Sequence, residues 1–207
     1  MPNHITNILT AYGDKEKVRA MFEAIKYDEI GAGSIDFNKI VPMPEHIYRG
    51  NLGREEIEKY GAENCWYDWS IKNWGTKWNS YGYDEHTADN FDGCTVKFLT
   101  AWSSVSDLMK KLSSMFPDIR FDYKWADEDF GHNTGKAEYK NGKTLICYIP
   151  ACGSAEAIEL AASILDIDLA EARYLYNEAP VNTNMWKMSR MKLPRWAVCR
   201  NACRCFL

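Results

Sequence analysis

Between Ile119 and Trp125, four large apolar residues (Ile119, Phe121, Tyr123, Trp125) alternate strictly with Arg120, Asp122 and Lys124. A period of two puts all four on one side of a β-strand, so the chain must contain a sheet with one buried face.

The other segments arrange themselves around that strand. Residues 5–12 read as a first strand, and Asp14 is placed to cap a helix whose Val18, Met21, Phe22 and Ile25 recur on one face. Residues 35–41 predict a second strand, halted by Pro42 and Pro44, and residues 54–60 a brief helix. Residues 95–102 predict a third strand with Val96, Phe98 and Trp102 on one side. Ser104 and Asp107 have the spacing of a capping box, opening a helix that Pro117 stops. Two short strands flank Asn141-Gly142, the dipeptide a type I′ hairpin turn prefers, with Lys140 and Lys143 suiting a protected edge. Residues 154–167 and 168–179 read as two helices forming an appendage, able to pack on the sheet or on another copy of the chain.

Strand, helix, strand, strand, helix, strand over residues 4–126 is the split βαβ order of ferredoxin-like folds. The expected fold class is therefore α+β, with two helices on one face of an antiparallel sheet. A ferredoxin-like domain spans 1–150, and a helical extension with a basic, cysteine-containing tail spans 151–207.

The stretch from Asp68 to Asn79 holds three tryptophans, two lysines, two asparagines and a glycine, and fits neither an ordinary helix nor an alternating strand. It reads as a structured loop and the hub of the molecule. In one reading Trp74 and Trp78 fill the open face of the sheet, Gly75 supplies a turn, and Lys77 and Asn79 satisfy backbone groups. In the other, Trp69, Asn73, Trp74, Lys77, Trp78, Asn79 and Trp102 form a surface that recognises a partner. Packing is the commoner fate of an indole.

Several segments together resemble the YubB-type ferredoxin-like domain family carried on plasmids, phages and prophages. They are Met1-Pro2-Asn3 with Asn7, Ile40-Val41-Pro42-Met43-Pro44, Asn73-Trp74-Gly75-Thr76-Lys77-Trp78-Asn79, Phe98-Leu99-Thr100-Ala101-Trp102-Ser103 and Phe130-Gly131. The resemblance covers roughly residues 1–140. It implies the ferredoxin-like fold and a mobile-element setting in a bacterial host, with no settled activity to carry over. Ser104-Val105 departs from the proline-rich step usual there, and residues 150–207 lie outside the similarity.

Charge is divided unevenly. Residues 181–207 contain six basic side chains and no acid, so a net charge of −4 becomes −10 for the first 180 residues. Arg190, Lys192, Arg195 and Trp196 in that tail are a second candidate surface, for a partner protein or for single-stranded nucleic acid. The nucleic-acid reading is opposed by the acidic body: the strands lack the expected basic-aromatic signature, and Tyr123 and Trp125 are flanked by Asp122, Asp127, Glu128 and Asp129.

Seven cysteines without an export signal point to reduced thiols in a cytoplasm. Cys199, Cys203 and Cys205 do not have the paired spacing of most structural zinc sites, so no metal or other cofactor is expected. Asp127, Glu128, Asp129 and His132 read as a solvated loop. A metal-dependent hydrolase centred on Asp129 and His132 is the weaker alternative, because no phosphate loop, nucleophile elbow or paired metal motif occurs. No membrane-spanning run is present. The expectation is a non-enzymatic binding protein whose partner is a host protein, for example a component of a defence system.

Overall fold

The computed structural model describes residues 2–170. Five strands form one antiparallel sheet: β1 (His4–Tyr12), β2 (Thr95–Ala101), β3 (Arg120–Asp127), β4 (Gly135–Lys140) and β5 (Lys143–Tyr148). Their order is β2-β1-β3-β4-β5. β1 is antiparallel to both neighbours, Asn7 lying beside Phe98 on one side and Trp125 on the other. β2 and β3, joined through helix α4 (Ser106–Met115), therefore run parallel with β1 between them, which is the split βαβ unit of a ferredoxin-like fold.

The alternation read from the sequence sets the layers. Ile5, Leu9 and Ala11 of β1, Val96 and Phe98 of β2, and Phe121, Tyr123 and Trp125 of β3 share one buried cluster. Val18, Met21, Phe22 and Ile25 of helix α1 (Lys15–Ile25) and Leu108, Met109 and Leu112 of α4 close it. Asp14 caps α1 by accepting from the Glu16 and Lys17 amides. The Trp125 indole lies so near Gly135 that a Cβ there would stand 2.3 Å from the ring, so only glycine fits opposite it. The Asn141-Gly142 turn has φ of 49° and 71°, as a type I′ turn requires.

Four expectations fail. Residues 35–41 are not a strand but a single 3₁₀ turn, Phe37–Lys39, capped by Asp36. The outer edge of β2, where that strand would pair, is met instead by the Tyr81 backbone at Leu99 and the Thr76 hydroxyl at Ala101. A propensity reading takes Ile35–Val41 as β because it cannot see that a later segment satisfies the β2 edge. Second, Ser104 does not cap α4; the N-cap is Val105, whose amide donates to the buried Tyr123 hydroxyl. Third, the first half of the tryptophan-rich stretch is helical: α3 (Trp66–Asn73) follows the short α2 (Arg54–Tyr60).

Fourth, the expected domain boundary at 150 fails, because helix α5 (Ala155–Leu165) takes the first of its two expected places, on the sheet. It packs on the second face of the sheet, where Ala161 and Ile164 meet Ala126 and Ile8, with Phe130 alongside. The compact unit accordingly runs to Leu165 rather than stopping at 150, with residues 166–207 a second unit. Most of the second expected helix, together with Arg190, Lys192, Arg195, Trp196 and Cys199, Cys203 and Cys205, lies outside the described residues.

Candidate functional site: a lysine walled by aromatic rings

After α3 the chain is pinned at alternate points. Trp74 is 5% exposed; its indole meets Phe37 and Trp69 edge-on at 6.0 and 5.3 Å, and its N–H donates to the Val41 carbonyl. Thr76 is fully buried, its hydroxyl donating to the Ala101 carbonyl at 2.8 Å and accepting from the Ala101 amide at 3.1 Å. Asn79 accepts from the Phe37 and Ser80 amides and donates to Asp36. The residues between these anchors, Lys77 and Trp78, are left on the surface.

The packing reading of this stretch holds for some of its residues and not for others. Trp74 and Asn79 are structural, as is the half-buried Trp69, and Asn73 closes α3 by donating to the Trp69 carbonyl. Trp78 is 38% exposed and Trp102 41% exposed. Trp74 fills the helix-covered side of the sheet, not its open face, and Trp78 fills neither. Nor do Trp74, Trp78 and Trp102 gather in one hub: Trp78 contacts Tyr81, Trp102 contacts Tyr67, and Trp74 belongs to the core. Lys77, expected to satisfy backbone groups, instead has its ammonium over the rings of Trp78, Trp102 and Tyr67, at 4.5, 5.1 and 6.0 Å from their centroids.

Trp102 leaves the alternation of β2 because its φ is +69°, a left-handed conformation that a bulky side chain rarely adopts. Such strain persists only where the surroundings over-determine it. Here the Thr100 hydroxyl donates to the Ser103 carbonyl across the turn. The Trp102 amide donates to the Asn3 carbonyl, and its carbonyl accepts from the Asn133 side chain. Asp127 orients both clamps, one carboxylate oxygen accepting from the Asn3 side chain and the Asp129 amide, the other from Asn133. Burial pushes the Asp127 carboxyl above the ordinary range. Beneath the turn, fully buried Asn7 donates to the Thr100 hydroxyl and accepts from Tyr123 at 2.6 Å. Asn3, Asn7 and the Thr100-Ala101-Trp102-Ser103 segment are therefore one device that holds an indole outward.

Two adjoining concavities of about 510 and 420 Å³ share Arg49, Trp66 and Lys77 in their walls. Arg49 is held by the Met43 and Pro44 carbonyls, and Trp66 by the Gly50 carbonyl. Sequence reading missed Arg49, Trp66 and Tyr67, since Arg49 stands in an irregular segment and the two aromatics precede the tryptophan-rich stretch. The one usable signal was their spacing with Ser70 in what proves to be a helix. The acidic run divides: Asp127 faces inward, while His132 and Asp129 approach to 3.6 Å. Among the described residues no three His, Cys, Asp or Glu side chains converge as a metal site, and no helix is long and apolar enough to cross a membrane.

Fold and site together define an α+β ferredoxin-like domain that presents a cation set among aromatic rings. A family model described as the ferredoxin-like domain in Api92-like protein matches residues 77–168, somewhat less than half of the chain. The match begins at Lys77 and runs through α5, past the boundary expected at 150. Neither a curated protein nor a solved structure matches the chain.

Proposed function

We propose that this chain works by binding rather than by turnover, as a protein of a mobile genetic element that engages a host protein in a bacterial cytoplasm. The face around Lys77, Trp78 and Trp102 makes the contact. The observation that carries this reading is Trp102: a strained backbone, hydrogen-bonded at its amide to Asn3 and at its carbonyl to Asn133 above the buried Thr100, holds a large apolar ring toward solvent. Exposed, rigid aromatic anchors beside a cation are the composition of interface hot spots. The mobile-element setting rests on the family resemblance, and a defence component is the host target it favours.

Single-stranded nucleic acid is a second reading, favoured by the same rings, on which bases stack. The charge of −10 over residues 1–180 weighs against it. Affinity capture from host lysate with wild-type chain, Trp102→Gly and Trp78→Ala tests the proposal. A host protein retained by wild type and lost from both variants is the expected result. Equal retention by all three refutes the assigned face, and loss of a labelled single strand in place of a protein favours the second reading.

A further inference from the structure

Lys77 and Arg49 share the walls of both concavities, and among the described residues no carboxylate pairs with either. Other described cations, Lys15, Arg19 and Lys72 among them, also stand without a carboxylate within 4.0 Å, so it is the setting of Lys77 that marks this place. The Lys77 ammonium faces three rings, whose electron-rich faces hold the charge in place without using its N–H donors. Arg49 spends part of its guanidinium on the Met43 and Pro44 carbonyls, which fix its plane at the rim.

Resting on the binding role proposed above, we infer that this concavity receives an acidic peptide segment of the partner. A Glu or Asp carboxylate seats on Lys77 and Arg49, and a neighbouring apolar or aromatic side chain lies on Trp66 and Trp78. Two cations in a bowl match one or two carboxylates. They do not form the continuous track along which a polynucleotide backbone is neutralised. Rings on the walls exclude water from the ion pair, which strengthens a charge-assisted hydrogen bond relative to one at an open surface.

The test is fluorescence titration of the full chain, read from its indoles, with three probes. They are a short peptide alternating Glu and Phe, its Gln-for-Glu twin, and a short oligodeoxythymidine. The Glu peptide is expected to give a saturable change, the Gln twin binding about tenfold more weakly. Lys77→Met, which keeps the stem against the rings, and Arg49→Met each weaken the Glu peptide by about tenfold while leaving the melting temperature unchanged. Equal binding of the two peptides, binding of neither, or indifference to Lys77→Met overturns the inference. If neither peptide binds while Trp102-dependent capture of a host protein persists, the binding role stands and the acidic ligand does not. Lys77-dependent binding of the oligonucleotide alone assigns the bowl to phosphate instead.

Discussion

Replacing Thr76 by Val removes a hydroxyl and keeps the volume. In the folded chain that hydroxyl serves the N–H and the C=O of Ala101 at once, at 3.1 and 2.8 Å, in a place from which both residues exclude solvent. Ala101 pairs with His4 across β1, while Trp102 bonds to Asn3, so the two Ala101 groups point away from β1 toward Thr76. Val leaves both unmatched. An unsatisfied buried backbone group costs about 1–3 kcal/mol, so Thr76→Val should cost about 2–5 kcal/mol. Thr76→Ser, which keeps the hydroxyl and loses a methyl, should cost only about 1 kcal/mol. With a urea slope of about 1–3 kcal/mol per molar, the midpoint of Thr76→Val falls by roughly 1–2 M, several times the shift for Ser. Equilibrium urea unfolding followed by far-UV circular dichroism gives both numbers. If Val and Ser variants unfold at the same midpoint, the hydroxyl does not close the β2 edge, and the account of the missing ferredoxin strand is wrong.

Tyr123→Phe deprives the buried Asn7 carbonyl and the Val105 amide of their shared partner and should cost about 2–5 kcal/mol by the same assay; a cost under about 0.5 kcal/mol would falsify the network. Trp74→Ala should cost about 3–5 kcal/mol, whereas Trp78→Ala, on the surface, should stay within about 1 kcal/mol of wild type; calorimetry separates the two. Trp102→Gly relieves the left-handed strain, so its melting temperature should hold or rise even as partner capture is lost, and a clear fall in stability would contradict the strain assignment. The Tyr83 hydroxyl, which bonds to Ser80 and to the Ile35 amide, is pushed up to about 12 by burial, and burial raises Tyr27 and Tyr123 as well. The unfolded chain releases these protons near pH 10, so stability is intact below that pH and drains between about 10 and 12. Urea midpoints from about pH 9 to about pH 11 should fall less steeply in Tyr83→Phe than in wild type.

Periodicity made the regular layers of this protein legible. The alternation at 119–125, the i, i+3, i+4, i+7 face of α1 and the Asn141-Gly142 turn depend on contacts between near neighbours in sequence, and each stands where the pattern puts it. What only tertiary structure decided were the partners of groups distant along the chain. Whether residues 35–41 pair with β2 depends on Thr76 and Tyr81 reaching that edge first. Whether α5 packs on the sheet or on another copy of the chain depends on the second face of the sheet offering Ile8 and Ala126 to it. Of two tryptophans four residues apart, Trp74 is buried and Trp78 exposed because Thr76, midway between them, is tied to a strand twenty-five residues later. Composition marked that stretch as the place to look; which ring faces water is set by the hydrogen bonds that fix the backbone beneath it.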